Sequence, residues 1–420
     1  MSGLPETEPA PEELVAVADK LHVDGTHRTM APWRTLERLG PEVLAQVGVT
    51  RVAVITGLDD VGIPVVMVCR PNGRSLSVSQ GKGVDLTAAK VSGIMEAVEA
   101  WHAEQVMLPL RLGTYRELSA VARVVNVEQL PQPARSRFHP DLSILWIEGT
   151  DLFSSDRRWV PYECVHLDYR IPGPQGTGCF LANGSGLAAG NHVLEAVSHA
   201  LCEVVERDAF ALWNERLPED RAARQVDLDS VTDRGCRRLL DAYAQAGVGV
   251  IAWDLTTDVG LPVFSVTVVN RRRDPLRRFP AAMGGGCHPD RAVALSRALT
   301  EAAQGRLTLI AGSRDDFTTG YYRHIKDADV LASHLARLGT GATRSFTDVA
   351  HVPADTIDED VTNELDRLKA AGVGQAILVD LTRPELRIPV VRIVVPGLEG
   401  FTDKAEPNVP GERRRILREG

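Results

Sequence analysis

Glu96 and Glu99, Glu203 and Glu206, and Glu301 with Gln304 each stand three positions apart in stretches of otherwise apolar sequence. At helical spacing the members of such a pair lie on one face, within about 60° of each other. Glu195 joins the middle stretch, about 20° from Glu206 around the same helix. Carboxylates repel one another and are costly to bury unpaired, so acids gathered on an apolar helix suit a bound divalent cation. For one such helix taken alone, a solvated face is the plainer reading. The recurrence reverses that preference. Glu96 and Glu99 follow Gly83 by 13 and 16 residues, and Glu203 and Glu206 follow Gly190 by the same counts. Ser92 and His199 precede the first glutamate of each pair by four, and Arg297, Glu301 and Gln304 repeat that triplet after Gly284-Gly285-Gly286. Three copies of one spacing after glycine-rich turns point to a shared polar site.

Other polar groups carry weaker signals. Ser79-Gln-Gly-Lys82-Gly83 resembles a phosphate loop but lacks the spacing and the final Ser/Thr of that motif, leaving a turn with a surface lysine as the alternative. Ser185 is no hydrolase nucleophile elbow, because Asn183 and Leu187 occupy the two positions that need glycine. His102, His192, His199 and His288 are scattered, and nothing places an acid or base beside Cys179, Cys202 or Cys287. Trp101, Trp213 and Trp253 are most simply core residues.

The elements that must position the acids follow from a second recurrence. Leu44-Ala-Gln-Val-Gly48, Tyr243-Ala-Gln-Ala-Gly247 and Leu368-Lys-Ala-Ala-Gly372 each lead into a β-branched stretch, an Asp-containing turn and a second strand opened by Pro64, Pro262 or Pro389. Each reads as helix, glycine cap and hairpin. Hairpins need a covering layer, and the acid-bearing helices supply it, giving an α/β (α+β mixed) fold with three helix and β-hairpin units. Further helices are expected at Arg234–Gln245 and Ala328–Leu338, with a short one at Glu12–Leu21. Leu142–Ile147 and Trp159–Val165 are strand candidates. Gly25 to Thr35 reads as a polar pre-helical segment, and Phe317–Tyr322 and residues 397–420 read as loops. A flexible segment at 1–24, one body over 25–400 and a tail at 401–420 are expected.

The net charge of −9 over 420 residues argues against non-specific nucleic-acid binding, and Arg271–Arg273 and Arg413–Arg415 read as solvated loop or tail charges. The six cysteines show no Cys-x-x-Cys pair and no zinc spacing, so they read as small core residues in a reducing compartment. No signal segment and no run of eighteen apolar residues is present, so a cytoplasmic protein without a membrane span is expected.

From Gly25 to Gly400 the chain resembles the YcaO family, ATP-dependent enzymes that activate a peptide backbone amide. The resemblance rests on Ser79-Gln-Gly-Lys-Gly83, Ser92 with Glu96 and Glu99, and Gly186-Leu-Ala-Ala-Gly-Asn191 with Glu195, Glu203, Glu206 and Arg207. Arg297, Glu301 and Gln304, and then Ile388-Pro-Val-Val-Arg-Ile-Val-Val-Pro-Gly397, complete it. It implies that Glu96, Glu99, Glu203 and Glu206 hold Mg2+ bridging the ATP phosphates. Glu195, Arg297, Glu301, Gln304 and Asn191 would complete the nucleotide shell, with Arg28, Thr35, Ser79 and Lys82 against the phosphates. Acids with no Cys/His partners suit magnesium better than zinc.

Two departures from the family pattern stand out. Ala100, where the family usually has Arg, follows Glu99, whereas Arg207 keeps the basic residue after Glu206. The ending Pro407-Asn-Val-Pro410-Gly-Glu is not the alternating-proline tail of azoline-forming members, and the core begins too early for a fused peptide-recognition domain. The resemblance therefore implies an ATP- and Mg2+-dependent enzyme on a ribosomal precursor peptide, working with a partner protein and compatible with a homodimer. The reading leans to thioamide formation, ahead of azoline and macroamidine formation. A non-catalytic ATP-binding scaffold is the alternative of another class. No residue is assigned as catalytic base.

Overall fold

A computed structural model describes residues 17–271, 281–314, 316–317, 319–325, 327–338, 341–352, 354–400 and 408–419. The chain divides into two compact units, each assembled from separate segments. Unit one takes Met1–Asp19, His102–Ala211 and Ala354–Gly420, and unit two takes Lys20–Trp101 and Leu212–Pro353. The divisions at Trp101 and Ala211 fall inside the helices Leu86–Glu104 and Val193–Trp213, so no linker marks them.

Unit two holds two antiparallel three-stranded sheets, one running Arg51–Val54, Val65–Cys69, Val78–Lys82 and the other Val248–Asp254, Val263–Asn270, Ala282–Cys287. Unit one holds a six-stranded sheet in which Ile377–Asp380 pairs Val390–Val394, and that strand pairs Leu187–Ala189. The three proline-led strands begin at Val65, Val263 and Val390, one residue after Pro64, Pro262 and Pro389. Proline has no N–H for the ladder, which suits the position just before a strand. Upstream, Gly48, Gly247 and Gly372 sit at φ of +81°, +68° and +83°, the left-handed conformation that ends a helix and that glycine reaches without strain.

The strand beside each proline-led strand leads into an acid-bearing helix: Val78–Lys82 into Leu86–Glu104, Leu187–Ala189 into Val193–Trp213, and Ala282–Cys287 into Arg291–Ala311. Glycine lets strand and helix backbones touch. A Cβ on Gly81 would overlap the Ala89 carbonyl and the Gly93 backbone, and one on Gly286 would overlap the Ala294 carbonyl. On Arg291–Ala311 the facing residues Ala294, Ala298 and Ala302 are small and buried, so the helix lies flat on its strand. The Asp290 carboxylate accepts from the Ala292 N–H at 2.7 Å and caps the helix start, while Gly312 in the left-handed region ends it.

The helices Arg234–Gln245 and Ala328–Leu338 form with the expected bounds. Four local expectations are corrected. Pro32–Arg38 is already a helix, started by proline at its first position. Thr319–Ile325 is helical, with Phe317 stacked on Tyr321. Val17–Leu21 contains no helix, and the rest of the proposed N-terminal helix lies outside the described residues, as do Arg272 and Arg273. Glu412–Glu419 is a helix, and Arg414 is a buried ion-pair partner: its Nε donates to Glu399 at 2.8 Å, while Arg413 donates to the buried Asp208 at 3.0 Å. These buried pairs dock a helix whose sequence carries almost no apolar face.

Candidate functional site

In unit two the strand Val78–Lys82 and the helices Leu86–Glu104 and Arg291–Ala311 bring four of the expected residues together. Lys82 Nζ donates to Glu301 Oε2 at 2.8 Å. Gln304 Nε2 donates to the Gln80 carbonyl at 3.3 Å, and the Thr308 hydroxyl donates to Gln80 Oε1. Glu96 keeps a partial opening to solvent, yet enough protein surrounds it that desolvation pushes its carboxyl up to about 7. Glu301 adds to the rise, while Lys82, Arg314 and a hydrogen bond from the Gln80 backbone oppose it. A cation placed there would relieve the cost of ionising Glu96. Glu99 follows one helical turn later and is also half-buried.

Val78–Lys82 is a strand, which corrects the reading of Gly81 as a turn residue; Gly83 lies just beyond the strand. Gly81 lies in the ladder opposite Val66, and the Gly83 N–H donates to the Pro64 carbonyl, so neither contributes to a loop cradle. Ser79 is buried within this strand. Thr35 is buried in the helix Pro32–Arg38, Arg28 donates to the His27 carbonyl at 2.8 Å, and Arg297 donates to the Cys287 carbonyl at 3.3 Å.

In unit one the helix Val193–Trp213 carries Glu195, Glu203 and Glu206. Glu195 is buried, and its Oε2 accepts from the Asn191 N–H at 2.8 Å and from Asn191 Nδ2 at 3.2 Å. Glu203 Oε2 accepts from the Gly186 N–H at 3.0 Å, and Oε1 from Arg207 at 3.2 Å one turn along the helix. Glu206 is buried beside them on the helix. The residue sequence reasoning passed over is Arg392, in the middle of the buried strand Val390–Val394. Its signal was a lone cation inside an apolar run, which a fold does not bury without a use.

The acids at these positions offer oxygen donors alone, the set a hard cation such as Mg2+ prefers, and several are buried enough to gain from a positive ion. The donor set therefore fits Mg2+ and phosphate. Among known proteins, a family model described as YcaO cyclodehydratase, ATP- and Mg2+-binding, matches residues 80–399. The chain belongs to the YcaO family. ATP and Mg2+ are accordingly its cofactors.

Similar proteins cover nearly the whole chain. An uncharacterized protein in the tfuA 3′ region of Rhizobium leguminosarum bv. trifolii is 39% identical over 378 residues, 89% of this chain and 88% of that one. An uncharacterized protein of Methanothermobacter thermautotrophicus is 34% identical over 413 residues, 92% of this chain and 98% of that one. Among solved structures, YcaO from Methanopyrus kandleri bound with AMPPCP and Mg2+ is similar with a TM-score of 0.72 and 25% identity, covering 94% of this chain and 99% of that one. A heterocyclase in complex with substrate and cofactor shares the fold with a TM-score of 0.74 and 24% identity. That likeness covers 94% of this chain, which spans about half of the heterocyclase, 55% of its length. Among the described residues no helix is long and apolar enough to cross a membrane.

Proposed function

We propose that this chain activates a backbone amide of a ribosomally made peptide by O-phosphorylation, after which a nucleophile adds to the amide carbon and phosphate leaves. An amide oxygen is a poor leaving group and a phosphorylated one is a good one, which is the physical need the chemistry answers. The observation that carries the reading is the YcaO family match across the acid-bearing helices. Bound ATP supplies the phosphoryl group, and Mg2+ neutralises charge on it. Glu96, Glu99, Glu203 and Glu206 hold the metal in this reading. Glu195, Asn191, Arg297, Glu301 and Gln304 complete the nucleotide shell, with Arg28, Thr35, Ser79 and Lys82 against the phosphates. The three helix and hairpin segments are copies of one unit that presents these helices, within a catalytic region spanning 25–400.

The added nucleophile is sulfide, giving a thioamide, in our preferred reading. Asn408 to Pro410 is tied down by the Val409 N–H to the Gln132 carbonyl and by Arg414 to Asn408, and leads into the helix Glu412–Glu419. Nothing in the acid set supplies sulfur, so a partner protein is part of the reading, and the gene neighbourhood named for the Rhizobium relative is the first place to look for one.

The test is to incubate the protein with ATP, Mg2+, the peptide encoded beside its gene and the neighbouring gene product, following phosphate release and peptide mass together. A gain of about 16 Da marks exchange of oxygen for sulfur, and a loss of about 18 Da marks ring formation with loss of water, both being replacement of an activated oxygen. Peptide-independent ATP binding with no turnover under any of these combinations would favour the scaffold instead.

A further inference from the structure

Arg392 presents a problem the reading above leaves unsolved. Every residue of its strand, Val390–Val394, is buried, and Arg392 itself is 3% exposed. Its Nη2 donates to the Asn183 carbonyl at 2.7 Å, but Nε and Nη1 meet no acceptor among the described residues. Guanidinium stays charged at any working pH, so the group cannot escape the cost of burial by losing its proton.

The acids around it do not answer that charge. Glu203 is the closest in effect, yet it accepts from the Gly186 N–H and from Arg207, as described above. Glu399 accepts from the Gly411 N–H at 3.0 Å, from the Arg414 N–H at 3.0 Å and from Arg414 Nε at 2.8 Å. Glu203 and Glu399 thus each already have an arginine of their own, and among the described residues no side-chain acceptor meets Arg392. Burial draws its proton affinity down, which is the electrostatic face of the same deficit.

Arg392 and Arg207 line one pocket of about 70 Å³ in unit one, together with Asn183, Ser185, Leu130 and Leu181. That is room for about five waters, or for one small oxyanion. Its polar wall offers two guanidinium groups, a hydroxyl and an amide, and also Glu399, whose carboxylate oxygens are taken up by the Gly411 N–H and by Arg414; most of the remaining wall is aliphatic. We propose that this pocket binds a single phosphate group, with Arg392 as its central ligand. A phosphate offers several acceptor oxygens and negative charge in that volume, and arginine is the side chain best suited to both. The choice of phosphate among small oxyanions rests on the amide-phosphorylation reading; the uncompensated arginine does not.

The probe is sodium phosphate, titrated by calorimetry and by thermal melting into the full chain without peptide or partner. Saturable stabilisation of the wild type is expected, absent with sodium chloride at matched ionic strength. Arg392→Gln and Arg392→Lys each weaken phosphate affinity, the first by at least ten-fold. Arg392→Met, similar in length and uncharged, melts at or above the wild type when phosphate is absent, because a buried uncompensated charge has been removed. A structural arginine satisfied by water would give the opposite: Arg392→Met melts lower and phosphate has no effect. That result, or undiminished phosphate binding by Arg392→Gln, overturns the proposal. Repeating the titration with saturating AMPPCP and Mg2+ distinguishes the source of the phosphate: continued binding marks free phosphate, and displacement marks a phosphate of the nucleotide. No step measures turnover, so loss of phosphate binding leaves the amide-activation reading standing, and an inactive protein that binds phosphate through Arg392 leaves this one standing.

Discussion

Lys82 and Glu301, 219 positions apart in the chain, meet at 2.8 Å between a strand and a helix of unit two, and both bear on the carboxyl of Glu96. Lys82 holds the Glu96 pKa down and Glu301 holds it up, so the pair sets how much of Glu96 is ionised near neutral pH. Both side chains are partly exposed, so their contact contributes little to stability, at most about 1 kcal/mol. Its importance is to the charge state of a proposed metal ligand. Lys82→Met should raise the Glu96 pKa above about 7 and move the acidic limb of Mg2+-dependent ATP turnover to higher pH, by about half a unit or more. A pH profile of turnover checks it, and an unmoved limb would disconnect Lys82 from Glu96.

Glu96 also makes a stability prediction. A carboxyl whose folded pKa of about 7 exceeds its ordinary 4.5 binds its proton more tightly when folded. Its contribution is therefore favourable at low pH, fades as pH rises from 4.5 to about 7, and is a constant penalty above that. Glu96→Gln removes this dependence. Without Mg2+ or nucleotide, the variant should match the wild type near pH 5 and exceed it at pH 8 by on the order of 1–3 kcal/mol. Urea denaturation at the two pH values measures the difference.

Gly81→Ala and Gly286→Ala should each lower stability by about 1–3 kcal/mol or more, because the new methyl overlaps helix backbone that no rotamer change can move aside. Gly48, where nothing lies within 4 Å, meets no such crowding. Its Ala variant suffers only from its left-handed φ of +81° and should cost less. Comparing denaturation midpoints separates close packing from backbone conformation.

The buried pair Arg306–Asp59 in unit two is a further test of how rigidly the third acid-bearing helix is held. Arg306 donates from Nε and Nη2 to the two carboxylate oxygens, and both side chains are under 5% exposed. Asp59→Ala should destabilise by about 3–5 kcal/mol by leaving a buried cation, and a second change, Arg306→Met, should recover much of that loss. A double-mutant cycle by chemical denaturation checks the recovery.

What was legible in the sequence was periodic. The acids recur at the spacing of a helical face, Arg234–Gln245 and Ala328–Leu338 read with the observed bounds, and Pro64, Pro262 and Pro389 announced the strands that follow them. What was missed depends on partners distant in sequence. Gly81 looks like a loop glycine until the helix it touches is known. Glu412–Glu419 looks like a solvated tail until Glu399 and Asp208 are seen to hold its arginines. The two units escape notice because each is pieced together from segments that the other interrupts. Which pairs of acids share one metal belongs to that same class of long-range relationship.

The central claim, transfer of the amide oxygen to phosphate, has one direct measurement. A precursor peptide carrying oxygen-18 at the backbone carbonyl to be modified is turned over with ATP and Mg2+, together with the partner protein if required, and the released phosphate is weighed by mass spectrometry. The account predicts one oxygen-18 atom in phosphate for each residue modified, since the bond from that oxygen to carbon breaks after its bond to phosphorus has formed. Modified peptide accompanied by unlabelled phosphate would contradict it.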